Sequence, residues 1–320
     1  MKIALVGFGN VGRPLARLIE HQRHSFPLRI VAIHTAHHGT AYDPDGLPPD
    51  PAFGPPAASI DEFLSRAGAD VMVELTPLNP ATGEPAISHI RAAFARRLHV
   101  VTANKGPIAH AYHLLRAEAA HSRVLFRFES TVMDGAPVFN MVRHTLPGVH
   151  VLGFTGVLNS TTKIVIEAMR AGKSMEEGIE EAQRLGITEA DARFDIDGWD
   201  SAAKTAALAN VLMDARITPQ QVDTRGIARL TPERMAELAA KGKTVRLVSR
   251  ARRNHEGVKL RVRAEVVEEN DILATVRGTS NLLLLHTDLM GTIGTVSIAP
   301  TVEQTAYGVF SDLVDVLSSK

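Results

Sequence analysis

The chain has 320 residues, balances 35 Lys and Arg against 35 Asp and Glu, and contains no cysteine. This length allows two domains, and the balanced charge creates no field that would draw the chain to nucleic acid or an acidic membrane surface. The lack of cysteine excludes disulfides and thiolate chemistry and suits a cytoplasmic protein. No apolar run approaches the ~20 residues of a membrane span. We therefore expect neither a nucleic-acid nor a membrane partner.

Predicted strands and helices alternate in the first part of the chain. Residues 2–6 form an apolar strand, a helix follows through about Glu20, and a second strand is predicted over Leu28–His34. Further strands are predicted over Ala69–Leu75, Leu98–Thr102 and Val124–Phe128, and further helices near 81–97 and 108–121. This alternation predicts an α/β fold with a doubly wound parallel sheet of the Rossmann type.

A glycine-rich motif directly follows the first strand and opens the first helix. Its six residues are Gly7, Phe8, Gly9, Asn10, Val11 and Gly12, which match G-x-G-x-x-G. The first glycine allows a tight turn, the second lets the backbone approach a pyrophosphate, and the third permits close packing of helix and strand. Amide groups at the helix N-terminus complete an anion site. In this setting the motif predicts dinucleotide binding rather than a merely structural turn.

The end of the second strand bears on the choice of cofactor. NAD-specific folds place an acid about 20 residues beyond the glycines, whereas residues 34–38 read H-T-A-H-H and carry no carboxylate. Thr35 and the histidines offer partners for a 2′-phosphate. NADP(H) is therefore favoured over NAD(H), with a simple solvated loop as the alternative.

Two further segments end predicted strands at the same sheet edge. Residues 74–77 read E-L-T-P, and residues 100–107 read V-V-T-A-N-K-G-P. Ligands of such sheets lie beyond the carboxyl ends of the strands, which places the Thr76 hydroxyl and Lys105 at the cofactor crevice. By position alone, a surface charge is the commoner reading of Lys105.

Residues 189–204 read E-A-D-A-R-F-D-I-D-G-W-D-S-A-A-K, with five carboxylates before a single lysine. Asp200 and Lys204 are four residues apart, so on a helix both project from one face. Such a pair can bind an amino group and also offer a proton. A solvated acidic loop and a calcium site are the alternatives, but the EF-hand spacing and its terminal Glu are missing.

Together these segments resemble the homoserine dehydrogenase family. The matching motifs are G-F-G-N-V-G at 7–12, E-L-T-P at 74–77, V-V-T-A-N-K at 100–105, G-V-L-N-S-T-T at 156–162, A-Q-R-L-G-I-T-E-A-D at 182–191, D-I-D-G-W-D-S-A-A-K at 195–204 and T-A-Y-G-V-F-S-D-L at 305–313. The resemblance covers essentially the whole chain. It implies an NAD(P)-dependent enzyme that interconverts homoserine and aspartate semialdehyde, and a homodimer.

The resemblance also implies roles for individual residues. Lys204 would be the proton donor or acceptor at the reacting oxygen, and Lys105 a second catalytic lysine that contacts both cofactor and substrate. Glu189 would accept the substrate ammonium, and Asp200 would bind at the hydroxyl end. The full set of implied substrate-binding residues is Glu189, Asp195, Asp200, Ser160 and Thr161.

The chain departs from the family pattern at several positions. Lys163 replaces an asparagine, Ala192 replaces a proline, and residues 297–301 replace a glycine-rich loop. Met133 and Asp134 occupy glycine positions of a segment that binds a monovalent cation in the family, so no metal is predicted. The chain ends where the family's catalytic region ends, which predicts a short form without the regulatory ACT domain.

We therefore predict two domains. Residues 1–135 and 301–320 would bind the dinucleotide, and residues 136–300 would form an α+β domain for substrate binding and dimerisation. Because of Lys163, a same-fold dehydrogenase of another small hydroxy acid is an alternative. A non-catalytic Rossmann redox or metabolite sensor and a sugar dehydrogenase are others, disfavoured by the two lysines and by the 189–204 motif respectively.

Overall fold

The structure, a computed structural model, describes residues 1–188 and 191–319. The chain divides into two compact units. The first comprises Met1–Phe139 and Thr301–Lys320, and the second comprises Asn140–Pro300. None of the helices within the described residues is long and apolar enough to cross a lipid bilayer.

The first unit is built on a six-stranded sheet whose order is β3-β2-β1-β4-β5-β6. Its strands are β1 (Lys2–Val6), β2 (Arg29–Thr35), β3 (Gly39–Tyr42), β4 (Val71–Glu74), β5 (His99–Thr102) and β6 (Phe126–Arg127). Its helices are α1 (Gly12–His21), α2 (Ile60–Ala67), α3 (Ala86–Ala95), α4 (Lys105–Ser122) and the C-terminal α12 (Val302–Ser318). All neighbouring strands are parallel except β3, which pairs antiparallel with β2.

The C-terminal helix α12 closes one face of this sheet. Val309 and Leu313 are fully buried in a cluster with Leu15 of α1 and with the apolar side chains of β1. Burying such a residue stabilises the fold by roughly 1.5–3 kcal/mol. A polar contact fixes the same helix, because Asp312 accepts a 2.7 Å hydrogen bond from the backbone N–H of Glu129. This hydrogen bond joins residues that are 183 positions apart in the chain, so the last helix packs with elements that come much earlier in the sequence.

The second unit contains a mixed sheet of order β12-β11-β7-β9-β10-β8. Its strands are β7 (Val151–Val157), β8 (Asp223–Arg225), β9 (Lys243–Asn254), β10 (Gly257–Glu268), β11 (Asn281–Thr287) and β12 (Thr292–Ser297). Its helices are α6 (Ser160–Arg170), α7 (Met175–Arg184), α8 (Arg193–Ile196), α9 (Trp199–Leu212), α10 (Pro232–Ala239) and α11 (Ile272–Thr275), while α5 (Phe139–Thr145) begins at the last residue of the first unit's N-terminal segment. All ladders are antiparallel except the one between β10 and β8.

The predicted fold class is confirmed: a parallel Rossmann-type sheet with helices, followed by a region of mixed helices and strands. Ser174 and Glu177 form a complete capping box at α7, and Thr231 caps α10 with Pro232 at its first position. Strands β3, β7 and β8 were not predicted. The sequences of β3 and β7, G-T-A-Y and V-L-G-F-T-G-V, contain glycines that weaken a strand signal, and β8 has only three residues.

Candidate active site

The glycine-rich loop between β1 and α1 has the backbone that its sequence requires. Gly7 has a φ of +97°, and a Cβ atom there would lie 2.7 Å from the carbonyl oxygen of Leu75. A Cβ on Gly12 would lie 3.1 Å from the Gly7 oxygen, whereas one on Gly9 would meet no atom within 4 Å. The first and third glycines therefore serve local packing, while the space in front of Gly9 is open for a pyrophosphate.

The first turn of α1 is suited to an anion. The helix has no acidic residue in its first turn and no side-chain cap on its leading N–H groups. Arg13 lies in that turn, with its guanidinium 5.2 Å from the Phe8 ring centroid and 3.5 Å from an Asp50 carboxylate oxygen. Because free amide groups and a cation both favour negative charge, these residues fit the pyrophosphate of a dinucleotide.

Glu74 organises the loop that follows β4. Its side chain is completely buried, and its Oε1 atom accepts hydrogen bonds from both the hydroxyl and the backbone N–H of Thr76. Thr102, at the end of β5, donates its hydroxyl to the Glu74 backbone oxygen at 3.1 Å. The ends of β4 and β5 are thereby joined, and Thr76 lies at the carboxyl edge of the sheet.

Lys105 is the first residue of α4, and Asn104 holds it in place. The Asn104 side-chain oxygen caps the helix by accepting the Gly106 N–H at 3.0 Å, and its amide nitrogen donates to the Thr76 backbone oxygen at 3.0 Å. Thr76 and Lys105 are therefore brought together through Asn104, as their positions at one sheet edge predicted. Asn104 itself was not singled out, although Asn before a helix is a typical N-cap.

The turn after β2 uses Thr35 differently from the sequence interpretation. The Thr35 hydroxyl is buried, donates to the Gly39 oxygen at 3.2 Å and accepts the His38 N–H at 2.8 Å. Thr35 closes the turn to β3 and is not a candidate for a 2′-phosphate. His37 and His38 are exposed. Burial lowers the pKa of His34, with a smaller contribution from His89, so at neutral pH this ring is uncharged.

In the second unit, Asn159 connects the segments of the predicted substrate site. It lies between β7 and α6 and is 3% exposed, and its side-chain nitrogen donates to Asp195 at 2.6 Å and to Asp200 at 3.0 Å. Thr161 and Thr188 donate their hydroxyls to the other Asp195 oxygen, at 2.8 and 2.9 Å. One amide thus holds two carboxylates from different elements next to each other.

Lys204 completes this arrangement from the second turn of α9. Its Nζ atom lies 3.2 Å from Asp200 Oδ2 and donates to the Leu158 backbone oxygen at 2.7 Å. The side chains of Lys204 and Asp200 are 16% and 11% exposed. The ammonium is therefore held by a carboxylate and a carbonyl in a largely shielded place, where a charge interacts more strongly than in water.

The remaining predicted substrate residues have different surroundings. Ser160 begins α6 and donates to the Thr279 backbone oxygen at 3.3 Å. Lys163 is completely buried, and its ammonium donates to the Asn159 backbone oxygen at 2.9 Å. Glu189 lies outside the described residues. Among the described residues, no group of three or more His, Cys, Asp or Glu side chains is arranged to hold a metal ion.

The structure thus assembles Asp195, Asp200, Ser160, Thr161 and Lys204 around the Leu158–Asn159 turn of the second unit. It places Gly7–Gly12, Thr76 and Lys105 at the carboxyl edge of the first unit's sheet. Sequence reasoning missed Asn159, Thr188 and Asn104. The signal for Asn159 was available, since an asparagine directly before a predicted helix within a motif is a typical N-cap.

Comparison with known proteins assigns this pair of sites to a family. A family model described as "Homoserine dehydrogenase" matches residues 137–314, and one described as "Homoserine dehydrogenase, NAD binding domain" matches residues 7–129. The homoserine dehydrogenase of Methanocaldococcus jannaschii is 35% identical, over 100% of this chain and 99% of that protein. The chain belongs to the homoserine dehydrogenase family. It is accordingly an NAD(P)-dependent oxidoreductase.

Two further relatives extend the comparison. A protein of Pseudomonas canavaninivorans named NAD(+)-dependent homoserine dehydrogenase is 32% identical, over 99% of this chain and 96% of that protein. The crystal structure of a homoserine dehydrogenase from Thermoplasma acidophilum superposes with a TM-score of 0.85 at 26% identity, covering 100% of this chain and 99% of that chain. Similarity to this family therefore extends across both units.

Proposed function

We propose that this homoserine dehydrogenase interconverts homoserine and aspartate semialdehyde, with Lys204 as the proton donor and acceptor. The observation that carries the proposal is the contact of Lys204 with Asp200 and the Leu158 carbonyl, next to the Asn159–Asp195 pair. These residues lie within two of the segments, 156–162 and 195–204, that carry the resemblance to the family. A bound nicotinamide cofactor supplies the hydride acceptor or donor, and the chain supplies positioning and proton transfer.

The proton transfer follows from the charge that develops on the substrate. When homoserine is oxidised, its hydroxyl group loses a proton to the neutral form of the Lys204 amine. The hydride leaves the carbon that bears this hydroxyl. In the reverse direction the Lys204 ammonium stabilises the negative charge that grows on the aldehyde oxygen and then protonates it. Lys105 is proposed as a second catalytic lysine that contacts cofactor and substrate.

The substrate amino group is proposed to bind carboxylates of the second unit. Glu189 would accept the ammonium. Asp200, which Asn159 holds beside Asp195, would bind at the hydroxyl end of the substrate. Ser160 and Thr161 are proposed as further contacts at the N-terminus of α6.

For the cofactor we propose that NADP(H) is used in preference to NAD(H). Residues 34–38 carry no carboxylate for a ribose 2′-hydroxyl, and His37 and His38 are exposed at that turn. Arg13 adds a cation beside the glycine-rich loop. Gly7–Gly12, Thr76 and Lys105 are the proposed dinucleotide contacts. Since one relative is named as NAD(+)-dependent, the preference must be measured for this chain.

The alternative substrate, another small hydroxy acid, was suggested by the positive charge of Lys163. That ammonium is completely buried and lies on the Asn159 carbonyl, 3.4 Å from the Asn281 side-chain oxygen. With these partners, the buried Lys163 stabilises the turn at Asn159 and does not bind an anionic group of the substrate. This observation supports homoserine as the substrate.

The decisive assay uses the purified protein with L-homoserine and with amine-free 4-hydroxybutyrate, each in the presence of NADP+ or NAD+. We expect turnover of homoserine and a much lower kcat/KM for the amine-free compound. Turnover of 4-hydroxybutyrate alone would overturn the substrate assignment and leave the dehydrogenase assignment intact.

A homodimer is also proposed, and light scattering coupled to gel filtration would measure the oligomeric state. A cytoplasmic location stays a prediction.

A further inference from the structure

Glu74 is a completely buried carboxylate that the proton-transfer scheme does not use. It ends β4, and its Oε1 atom accepts both hydrogen-bond donors of Thr76, the hydroxyl and the backbone N–H. The Thr102 hydroxyl lies 3.3 Å from the other carboxylate oxygen. His89 Nδ1 lies 3.7 Å from Oε1. Burying a carboxyl group is costly unless it is hydrogen-bonded, and these contacts supply its partners.

The consequence of these contacts is a fixed direction for the Thr76 hydroxyl. A threonine hydroxyl has one proton to donate and two lone pairs that accept. Because its proton points to Glu74, Thr76 presents only acceptor character to any other group. Asn104 holds the same loop from the opposite side, donating to the backbone oxygens of Thr76 at 3.0 Å and Pro77 at 3.4 Å. The acceptor therefore has a defined position as well as a defined polarity.

The position of Thr76 indicates which part of a dinucleotide it meets. The loop touches the glycine-rich turn, since a Cβ on Gly7 would lie 2.7 Å from the Leu75 oxygen. In a sheet built of two mononucleotide halves, the pyrophosphate lies at β1, the adenosine on the β2 side and the nicotinamide on the β4 and β5 side. Thr76 is thus on the nicotinamide side. There the –NH2 group of the nicotinamide carboxamide is the donor that can bond to the Thr76 hydroxyl oxygen.

We propose that Glu74 is a positioning residue that fixes the Thr76 hydroxyl as an acceptor for the carboxamide N–H of the nicotinamide ring, and so sets the orientation in which the ring is held. This inference rests on the proposed role of Thr76 in cofactor binding. It concerns the recognition of one functional group, and its test requires no substrate.

The test compares NADPH with its reduced 3-acetylpyridine analogue, in which a methyl ketone replaces the carboxamide and the –NH2 donors are lost. Isothermal titration calorimetry measures the Kd of each. For the wild-type protein we expect NADPH to bind at least about tenfold more tightly, because the analogue leaves the Thr76 acceptor facing a ketone. In Glu74→Met the hydroxyl is free to rotate and donate to that ketone, and the preference should fall below about threefold.

Comparing two dinucleotides in one variant separates this role from a merely structural one. Glu74→Met leaves the Thr76 N–H and hydroxyl without their acceptor, which costs about 1–3 kcal/mol, so its Tm should fall. The deciding quantity is the ratio of the two Kd values measured well below that Tm, because a loss of stability alone weakens the binding of both dinucleotides equally. In Glu74→Gln the side-chain oxygen can still accept from Thr76, and the preference should persist. Glu118→Gln, which removes a carboxylate that pairs with Arg91 on the surface of the same unit, is the matched control.

Variants of Thr76 decide the matter if Glu74→Met does not fold. Thr76→Ser keeps the hydroxyl and should retain the preference, whereas Thr76→Val should abolish it. Equal binding of both dinucleotides by the wild-type protein, or an unchanged preference in Glu74→Met or Thr76→Val, would overturn the proposal. A strong preference in a protein that ignores homoserine would instead reject only the proposed substrate.

Discussion

Lys204 Nζ lies 3.2 Å from the Oδ2 atom of Asp200, one helical turn earlier in α9. The same ammonium donates to the Leu158 backbone oxygen, which fixes the lysine tip between two acceptors. An ammonium held in this way is directed at one place and need not lose further side-chain freedom when a substrate oxygen arrives.

Lys204→Ala should reduce kcat by ~10²–10⁴-fold, the usual contribution of general acid–base catalysis, while the Kd of NADPH stays within about twofold because the lysine belongs to the second unit's site. Steady-state rates and a fluorescence titration of NADPH measure the two quantities. Lys173→Ala, which removes a surface lysine paired with Glu181, is the control. A kcat within about threefold of wild type would remove Lys204 from the mechanism.

Asn159→Ala should lower both stability and turnover. It removes the N-cap of α6 and the amide that bonds to both Asp195 and Asp200, and we expect the free energy of unfolding to fall by about 2 kcal/mol. Urea denaturation measures this loss, and kcat/KM for homoserine should fall as well. Ser59→Ala removes the N-cap of α2, so it should cost ~1 kcal/mol with kcat unchanged. Equal activity in both variants would refute the positioning of the aspartates by Asn159.

The cofactor preference should be visible as a kcat/KM several-fold higher with NADP(H) than with NAD(H). The double variant His37→Ala, His38→Ala should weaken that preference, because both side chains are exposed at the turn after β2. His24→Ala removes another exposed histidine, beyond α1, and should have no effect. A wild-type preference for NAD(H) would show that the absence of a carboxylate in residues 34–38 does not determine the cofactor.

Glu189→Gln should raise the KM for homoserine by orders of magnitude, since breaking one partner of a shielded ion pair typically costs ~3–5 kcal/mol. The same variant should change kcat/KM for 4-hydroxybutyrate only slightly, because that compound has no ammonium to pair. Glu180→Gln, at an exposed position of α7, is the control. Equal losses on both substrates would show that Glu189 does not bind the amino group.

His34 should make the protein less stable as the pH falls. Burial holds its folded pKa below the ordinary value of ~6.5, so between those two pKa values the unfolded chain binds more protons than the folded one. By linkage, the free energy of unfolding is therefore full above pH ~6.5 and declines below it. His34→Gln should reduce this decline in urea titrations at pH 7.5 and 5.5, and the exposed His37→Gln should not. Identical slopes in all three proteins would contradict the assignment.

The sequence by itself determined the features that depend on neighbouring residues. The turn at Gly7, the capping box at Ser174 and the alternation of strands and helices in the first unit all follow from conformational preferences and hydrophobic periodicity over a few residues. The proximity of Asp200 and Lys204 is also a local feature, because residues four apart lie on the same face once α9 forms. For the same reason the glycine-rich motif predicts a dinucleotide from the local sequence alone.

Only the tertiary structure decided which distant groups meet. Asn159 holds Asp195 and Asp200, which are 36 and 41 residues away, and no periodicity links a turn to those carboxylates. Glu74 lies within the strand predicted over Ala69–Leu75, yet in the folded structure its buried side chain is the acceptor for Thr76. The sequence suggested that Thr35 could bind a ligand. In the structure its hydroxyl instead donates to the backbone oxygen of Gly39, in the turn that leads to the antiparallel strand β3. Hydrogen-bond partners of this kind depend on how the chain packs as a whole, since most buried polar groups find their partners within the folded structure.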